Sequence, residues 1–307
     1  MSKKLSIIIP VYYNEKNLPI TYALLAAEVL PHLPSYELIF VDDGSADNSY
    51  QEALKIHSID SQVKVIKLAR NFGQHIAIFA GLEHMSGDCA VVISADLQDP
   101  PHLILQMFEK YLAGNKVVIA IREDRKESFF QKAFSSLYYR LMKKYALNDM
   151  PLSGFDCFLA DKQVVDVLTS IEEKNTSLFA QILWIGFKRA EVTYTRQKRE
   201  IGVSRWTLSK KLKLAIDSML AFSYAPIQAI SIVGFLDCIF SLIYATYIVI
   251  QKVIWGANAG WSSLMVAIMF TSGVQMLTLG VIGEYLWRNF DESRKRPLYV
   301  LDEKHGI

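Results

Sequence analysis

Two long apolar tracts near the end of the chain restrict its architecture more than any other feature. Charged residues are frequent up to Lys213. They almost vanish from Pro226 to Ile250, where Asp237 is the exception, and are absent from Trp261 to Gly283. About 20 helical residues cross a hydrocarbon core, so each tract is long enough to span a bilayer. Two such tracts side by side predict a membrane hairpin rather than buried core helices. The excess in a chain that is 51% hydrophobic falls there, and the region before Lys213 reads as a charge-bearing globular fold.

Basic residues orient the hairpin. Lys210, Lys211 and Lys213 precede it, and Arg288, Arg294, Lys295 and Arg296 follow it. The connector QKVIWGANAG offers only Lys252. Lysine and arginine collect on the cytoplasmic side, so both ends and the N-terminal region are expected there. Trp255, Trp261 and Trp287 stand at the tract ends, as interfacial aromatics do. The stretch TLSKKLKLAIDSMLAFSY is basic and amphipathic, predicting a helix that lies in the interface. The opening MSKKLSIIIPVYYNE has too short an apolar run for a signal peptide.

The N-terminal region alternates apolar strands with helices. KLSIIIPVYYNE, YELIFVDDGSADNS, VKVIKLA, CAVVISAD and KVVIAIR read as five strands, the second spanning Glu37–Val41, each followed by a helix or turn. Ser45 or Asp47 is expected to cap the helix after the second. This alternation implies an α/β fold with a mostly parallel sheet covered on both faces. Three strand ends carry polar groups: Asn14 and Glu15, Asp42 and Asp43, then Asp96, Gln98 and Asp99. A parallel sheet aligns its strand ends, so these groups should converge on one crevice, where α/β proteins bind ligands. They suit a nucleotide's base and ribose and a hard divalent cation. No GxGxxG follows a strand and no GxxxxGK[ST] is present, which disfavours dinucleotide oxidoreductases and P-loop NTPases. The three cysteines, Cys89, Cys157 and Cys238, lack metal or redox spacing and are expected reduced. A net charge of +2 gives no sign of nucleic-acid binding.

SIIIPVYYNE, FVDDGSADNS, ARNFGQHIAIFAGLEHMSGD, SADLQDPP, SGFDCFL and REIGVSRW resemble the ordered motifs of the family 2 glycosyltransferases. SADLQDPP with paired membrane helices is similar to the polyprenyl-phosphate subgroup, that of dolichol-phosphate mannose synthases and bacterial undecaprenyl-phosphate glycosyltransferases. The resemblance implies a GT-A type nucleotide-sugar-binding domain over 1–204, a juxtamembrane amphipathic helix over 205–225, a transmembrane hairpin over 226–287 and a cytoplasmic tail over 288–307. It implies inverting sugar transfer from a nucleotide-sugar donor, a UDP-sugar, to polyprenyl phosphate, with Mg²⁺ or Mn²⁺. A homo-oligomer in the bacterial plasma membrane, with its catalytic domain in the cytoplasm, is expected.

Position by position, the resemblance assigns nucleotide binding to Pro10, Tyr12, Glu15, Asp42 and Asp43, and the donor phosphate to Arg122. Asp96 and Gln98 match the metal contacts, and Asp96, Asp156 and Arg199 the catalytic positions. Lys132, Ser136, Arg199 and Arg205 match groups that hold phosphates of lipid and donor. Ser94 stands where many relatives carry a first metal-binding aspartate, so Ser94→Asp is expected to tighten metal binding. Phe158 replaces the arginine of the motif DFRL. Two other readings stay open. A processive polysaccharide synthase shares the fold, but GVSRW has Gly202 where its QxxRW motif needs glutamine. A silent membrane scaffold leaves Asp96, Gln98, Asp156 and Arg199 unexplained together. Asp237 is a candidate functional group because it is a carboxylate inside a membrane tract.

Overall fold

The computed structural model describes residues 3–96, 98–123, 129–147, 149–151, 154–171, 173, 176–196, 208–255 and 260–307. The chain divides into two units, Met1–Ser218 with Pro297–Ile307, and Met219–Arg296.

In the first unit, β1 (Leu5–Val11) leads to α1 (Leu18–Glu28), β2 (Tyr36–Asp42) to α2 (Ser49–Ile59), and β3 (Val63–Leu68) to α3 (Gln74–Glu83). Then follow β4 (Cys89–Val92), α4 (His102–Leu112), β5 (Val117–Arg122) and α5 (Phe129–Tyr145). The remainder comprises β6 (Phe155–Asp161), α6 (Lys162–Thr169), α7 (Leu178–Trp184), β7 (Arg189–Tyr194) and α8 (Leu208–Phe222), whose last residues, from Met219, belong to the second unit. β1, β2 and β4 are nearly continuous runs of buried residues, as strands covered on both faces must be. α4 starts directly after Pro100 and Pro101 and buries Leu103, Ile104, Met107, Phe108 and Tyr111, one helical stripe laid on the sheet. α6 begins where the Asp161 carboxylate accepts from the Gln163 amide at 3.0 Å.

The sheet order is β7-β5-β6-β4-β1-β2-β3-β8, where β8 is Leu301–His305. β1 pairs in parallel with β2 and β4, β2 with β3, and β5 with β7. β6 runs antiparallel between β4 and β5. One edge of the sheet therefore gathers the carboxyl ends of β1, β2, β4, β5 and β7 and the start of β6. The segment expected to be a tail instead closes the far side of the sheet, because β8 lies antiparallel on β3. Its carboxylates explain the docking: Asp302 meets Lys67 at 2.6 Å, and Glu303 accepts from the Tyr50 hydroxyl at 2.9 Å.

At the opposite edge, Glu37 on β2 is 1% exposed yet ionised. It accepts from the Ser6 hydroxyl of β1 at 2.5 Å and from the Ser86 amide and hydroxyl at 2.6 and 2.5 Å. Lys64 of β3 lies at 2.8 Å and Lys4 at 3.1 Å. Burial alone would raise its pKa, but the hydrogen bonds from Lys64, Ser6 and Ser86 outweigh it and hold the group at about 2.

In the second unit, α9 (Ala225–Trp255) and α10 (Trp261–Ser293) contain stretches of 27 and 30 residues with mean hydropathies of 2.0 and 1.8. Both are long and apolar enough to cross a membrane. Phe235 and Met276 are 67% and 71% exposed, an arrangement that suits lipid rather than water. A cavity of about 910 Å³ between these helices is lined by Leu236, Asp237, Phe240, Phe270 and Val274.

The Glu37 network yields a signed pH prediction. A carboxylate held at about 2 contributes stability above its unfolded pKa, near 4.5, and loses it as pH falls toward 2. Glu37→Gln should cost about 3 kcal/mol at pH 7. Thermal melts of both proteins in detergent, taken from pH 7 to pH 2, should show the gap in midpoint closing below pH 4.5.

Candidate active site

The crevice at the carboxyl edge is assembled from turns that bind one another. At its β1–β2 end, Tyr13 N donates to the Ser45 hydroxyl at 3.1 Å and Asn14 N to the Ser49 hydroxyl at 2.7 Å. Glu15 accepts from Asn48 N at 3.1 Å. The helix after β2 starts at Ser49, later than Ser45 or Asp47 as cap would place it. Asp47 still acts there, accepting from Ser49 N at 3.2 Å. Gly44 has φ +67°, and a Cβ on it would meet the Arg70 carbonyl carbon at 2.5 Å, so the turn after β2 closes against the turn after β3 only as glycine.

The adjacent acids do different work. Both oxygens of Asp43 are engaged, one by Phe72 N at 2.6 Å and one by Gly73 N at 2.9 Å, which fixes the start of α3. Burial pushes its pKa up to about 6 against the pull of those amides. Asp42 accepts from Ser45 N at 3.1 Å through Oδ2, while its buried Oδ1 has no partner among the described residues. Burial raises its pKa too. A buried acceptor without a donor calls for one from a ligand. Pro10, next to last in β1, lies beside Val41, and the Tyr12 ring stands edge-on to Tyr13 at 4.6 Å.

At the β4 end the strand stops at Val92, and residues 93–96 carry the chain out to the edge. Asp96 Oδ1 accepts from Gln98 N at 3.3 Å, which turns both side chains' oxygens into one loop. Asp99 is 6% exposed and holds that loop in place. Its Oδ2 accepts from the Ser94 hydroxyl at 2.6 Å and its Oδ1 from the Tyr194 hydroxyl of β7 at 2.9 Å. Tyr194 is also the register partner of Arg122 at the end of β5.

Asp156, at the start of β6, pairs with Arg122, and Arg196 Nη1 lies 3.8 Å from the same carboxylate oxygen. Arg196 Nη2 donates to Gln98 Oε1 at 2.6 Å. Asp96, Gln98, Arg122 and Asp156 are thus brought to one edge. Ser136 lies half-buried on α5, three residues before Tyr139, whose ring occupies the space a Cβ on Gly154 (φ +63°) would need just ahead of β6. Lys132 belongs to α5 with its side chain outside the described part, and Arg199 and Arg205 lie outside the described residues. Sequence reasoning missed Tyr194 and Arg196. Tyr194 ends β7 and Arg196 follows it by two residues, beyond the five strands that the sequence pattern picks out.

The family model for "Glycosyl transferase family 2" matches residues 6–169, the span from β1 through α6. The chain belongs to glycosyl transferase family 2. A glycosyltransferase of Bacillus subtilis (strain 168), YkcC, is 41% identical over 98% of this chain and 94% of its own. A Synechocystis glycosyltransferase, sll0501, is 34% identical over 100% and 97%. The SfII prophage-derived bactoprenol glucosyl transferase of Shigella flexneri is 31% identical over 98% of each chain. The similarity runs through both apolar helices of this glycosyltransferase.

The geometry reverses one expectation about this transferase. Because the Ser94 hydroxyl is bound to buried Asp99, Ser94→Asp would set two carboxylates against each other. We expect the variant to lose about 2 kcal/mol of stability. It should need more divalent cation for half-maximal transfer, not less, as a titration of rate against Mn²⁺ will show.

Proposed function

We propose that this enzyme transfers a hexose, with inversion, from a nucleoside diphosphate sugar to polyprenyl phosphate at the cytoplasmic face of a bacterial plasma membrane. One observation carries the reading: a sheet edge that joins Asp96, Gln98, Arg122 and Asp156 belongs to a chain with two membrane-length helices. The full-length similarity to bactoprenol glucosyl transferases supports it.

On the donor side, the open Asp42 oxygen takes a hydrogen bond from the base, Pro10, Tyr12 and Glu15 serve the same nucleotide, and Asp43 fixes the turn. Asp96 and Gln98 would hold a divalent cation, Mg²⁺ or Mn²⁺. Two oxygen donors from the protein fit such a hard ion, which completes its shell with phosphate oxygens and water. No cluster of three His, Cys, Asp or Glu exists among the described residues, which agrees with a cation shell completed by the substrate's phosphates. When bound, the cation offsets charge on the departing diphosphate. Arg122 serves the donor phosphate. Lys132, Ser136, Arg199 and Arg205 serve the lipid phosphate and counter repulsion between two anionic substrates.

A phosphate monoester is ionised near neutral pH, so no general base is required. Its oxygen attacks the anomeric carbon as the bond to the diphosphate breaks, and the diphosphate leaves with the electron pair. Single displacement inverts the centre, and alignment supplies most of the rate. Asp156, shared by two guanidiniums, positions them rather than removing a proton. The partners are the donor, here a UDP-sugar, polyprenyl phosphate, the bilayer and further copies of the chain.

Membranes containing the protein, given undecaprenyl phosphate and a panel of nucleotide sugars, should form one lipid-linked hexose, identified by mass. No product with any donor overturns the reading. In the same assay Asp96→Asn should lose at least about 100-fold in rate with an unchanged melting midpoint. Arg199→Lys should lose most transfer at limiting acceptor, because an ammonium cannot reproduce a bidentate grip on phosphate.

A further inference from the structure

Arg196 has no part in the assignments above, yet it is the side chain that connects them. Its Nη2 holds Gln98 Oε1 at 2.6 Å, and its Nη1 lies 3.8 Å from the Asp156 oxygen that also pairs with Arg122. Two cations therefore share one carboxylate, leaving a net positive charge. The Nε atoms of both arginines are buried and have no hydrogen-bond partner among the described residues. Buried polar atoms are normally satisfied, and buried guanidinium N–H groups without an acceptor suit an oxyanion.

We propose that Arg196 and Arg122 form a two-guanidinium phosphate cradle, with Asp156 the internal anion that phosphate displaces. The inference rests on the glycosyltransferase reading above and deepens it. Gln98 Oε1 is occupied by Arg196 until Arg196 turns to phosphate. That turn withdraws the Arg196 donor from Gln98 Oε1, an oxygen assigned above to the cation, so cation and phosphate bind cooperatively. Linkage requires each to tighten the other by the same factor. The phosphate belongs either to the donor's diphosphate or to the lipid acceptor, and the test separates them.

The full-length protein in detergent is titrated with UDP and with GDP, each with and without Mn²⁺, by calorimetry. KM values for donor and for undecaprenyl phosphate are measured in parallel. In wild type, Mn²⁺ should tighten binding of the preferred nucleotide at least tenfold. Arg196→Lys keeps the charge but not the planar fork. It should weaken that nucleotide tenfold if the cradle holds the donor, or raise the undecaprenyl phosphate KM tenfold with nucleotide affinity unchanged if it holds the acceptor. Arg196→Gln should abolish the cooperativity between Mn²⁺ and nucleotide in the donor case, or between Mn²⁺ and undecaprenyl phosphate in the acceptor case. Folding is checked by melting midpoint, and the lysine variant serves if the glutamine variant unfolds. If both affinities, both KM values and the cooperativity match wild type, Arg196 is only a structural tie and the cradle is wrong. Failure of wild type to bind either nucleotide sinks the parent reading and this one with it.

Discussion

The buried charge of Glu37 sets the frame on which the site depends. One carboxylate ties the beginnings of β1 and β3, through Ser6 and Lys64, to its own strand and to the turn before β4, through Ser86. A slip of one residue in a strand would carry every side chain to the other face. Apolar runs such as LSIIIPV and YELIFVD are buried on both faces and so specify register weakly by pattern alone. A charge that must find its partners specifies it strongly, because a misaligned neighbour leaves an ion buried without compensation. What the carboxyl ends of the same strands present at the crevice follows from that alignment.

Much of this was legible in the chain. Alternating apolar strands and helices announced the parallel core, and the acids after β1, β2 and β4 pointed to one edge. The two long apolar tracts foretold α9 and α10. Local pattern carried those elements because each is decided within a few residues. The insertion of β6 between β4 and β5 was hidden, since strand order depends on crossovers rather than on the strand's own sequence. β8 was hidden for a related reason: LDEKH has the polarity of a solvated tail, and only pairing with β3, Lys67 and Tyr50 makes it a strand.

The site divides in the same way. Residue type and position picked out Asp42 and Asp96, but not that neighbouring Asp43 and Asp99 are occupied in holding turns. Adjacent acids look alike in a sequence, and the difference lies in which backbone amides and hydroxyls reach them. Phe72 and Gly73 come from the turn after β3, and Tyr194 from the end of β7. Ser94 is instructive. It reads as a lost metal ligand, and in three dimensions it is a donor to Asp99. Arg196 escaped because its partners, Gln98 and Asp156, lie far away in the chain.

The return of residues 297–307 to the sheet has a topological consequence. The chain leaves the first unit after Ser218 and rejoins it at Pro297, so everything between is a closed excursion from a single folded body. Such an excursion permits only an even number of membrane crossings, because its two feet stand on the same side. Two helices of membrane length satisfy that parity, and a single one would not bring the chain back to place β8 on β3. Closure of the sheet thus brings both ends of the hairpin to one folded body, a constraint separate from the lysine and arginine counts that would choose its side.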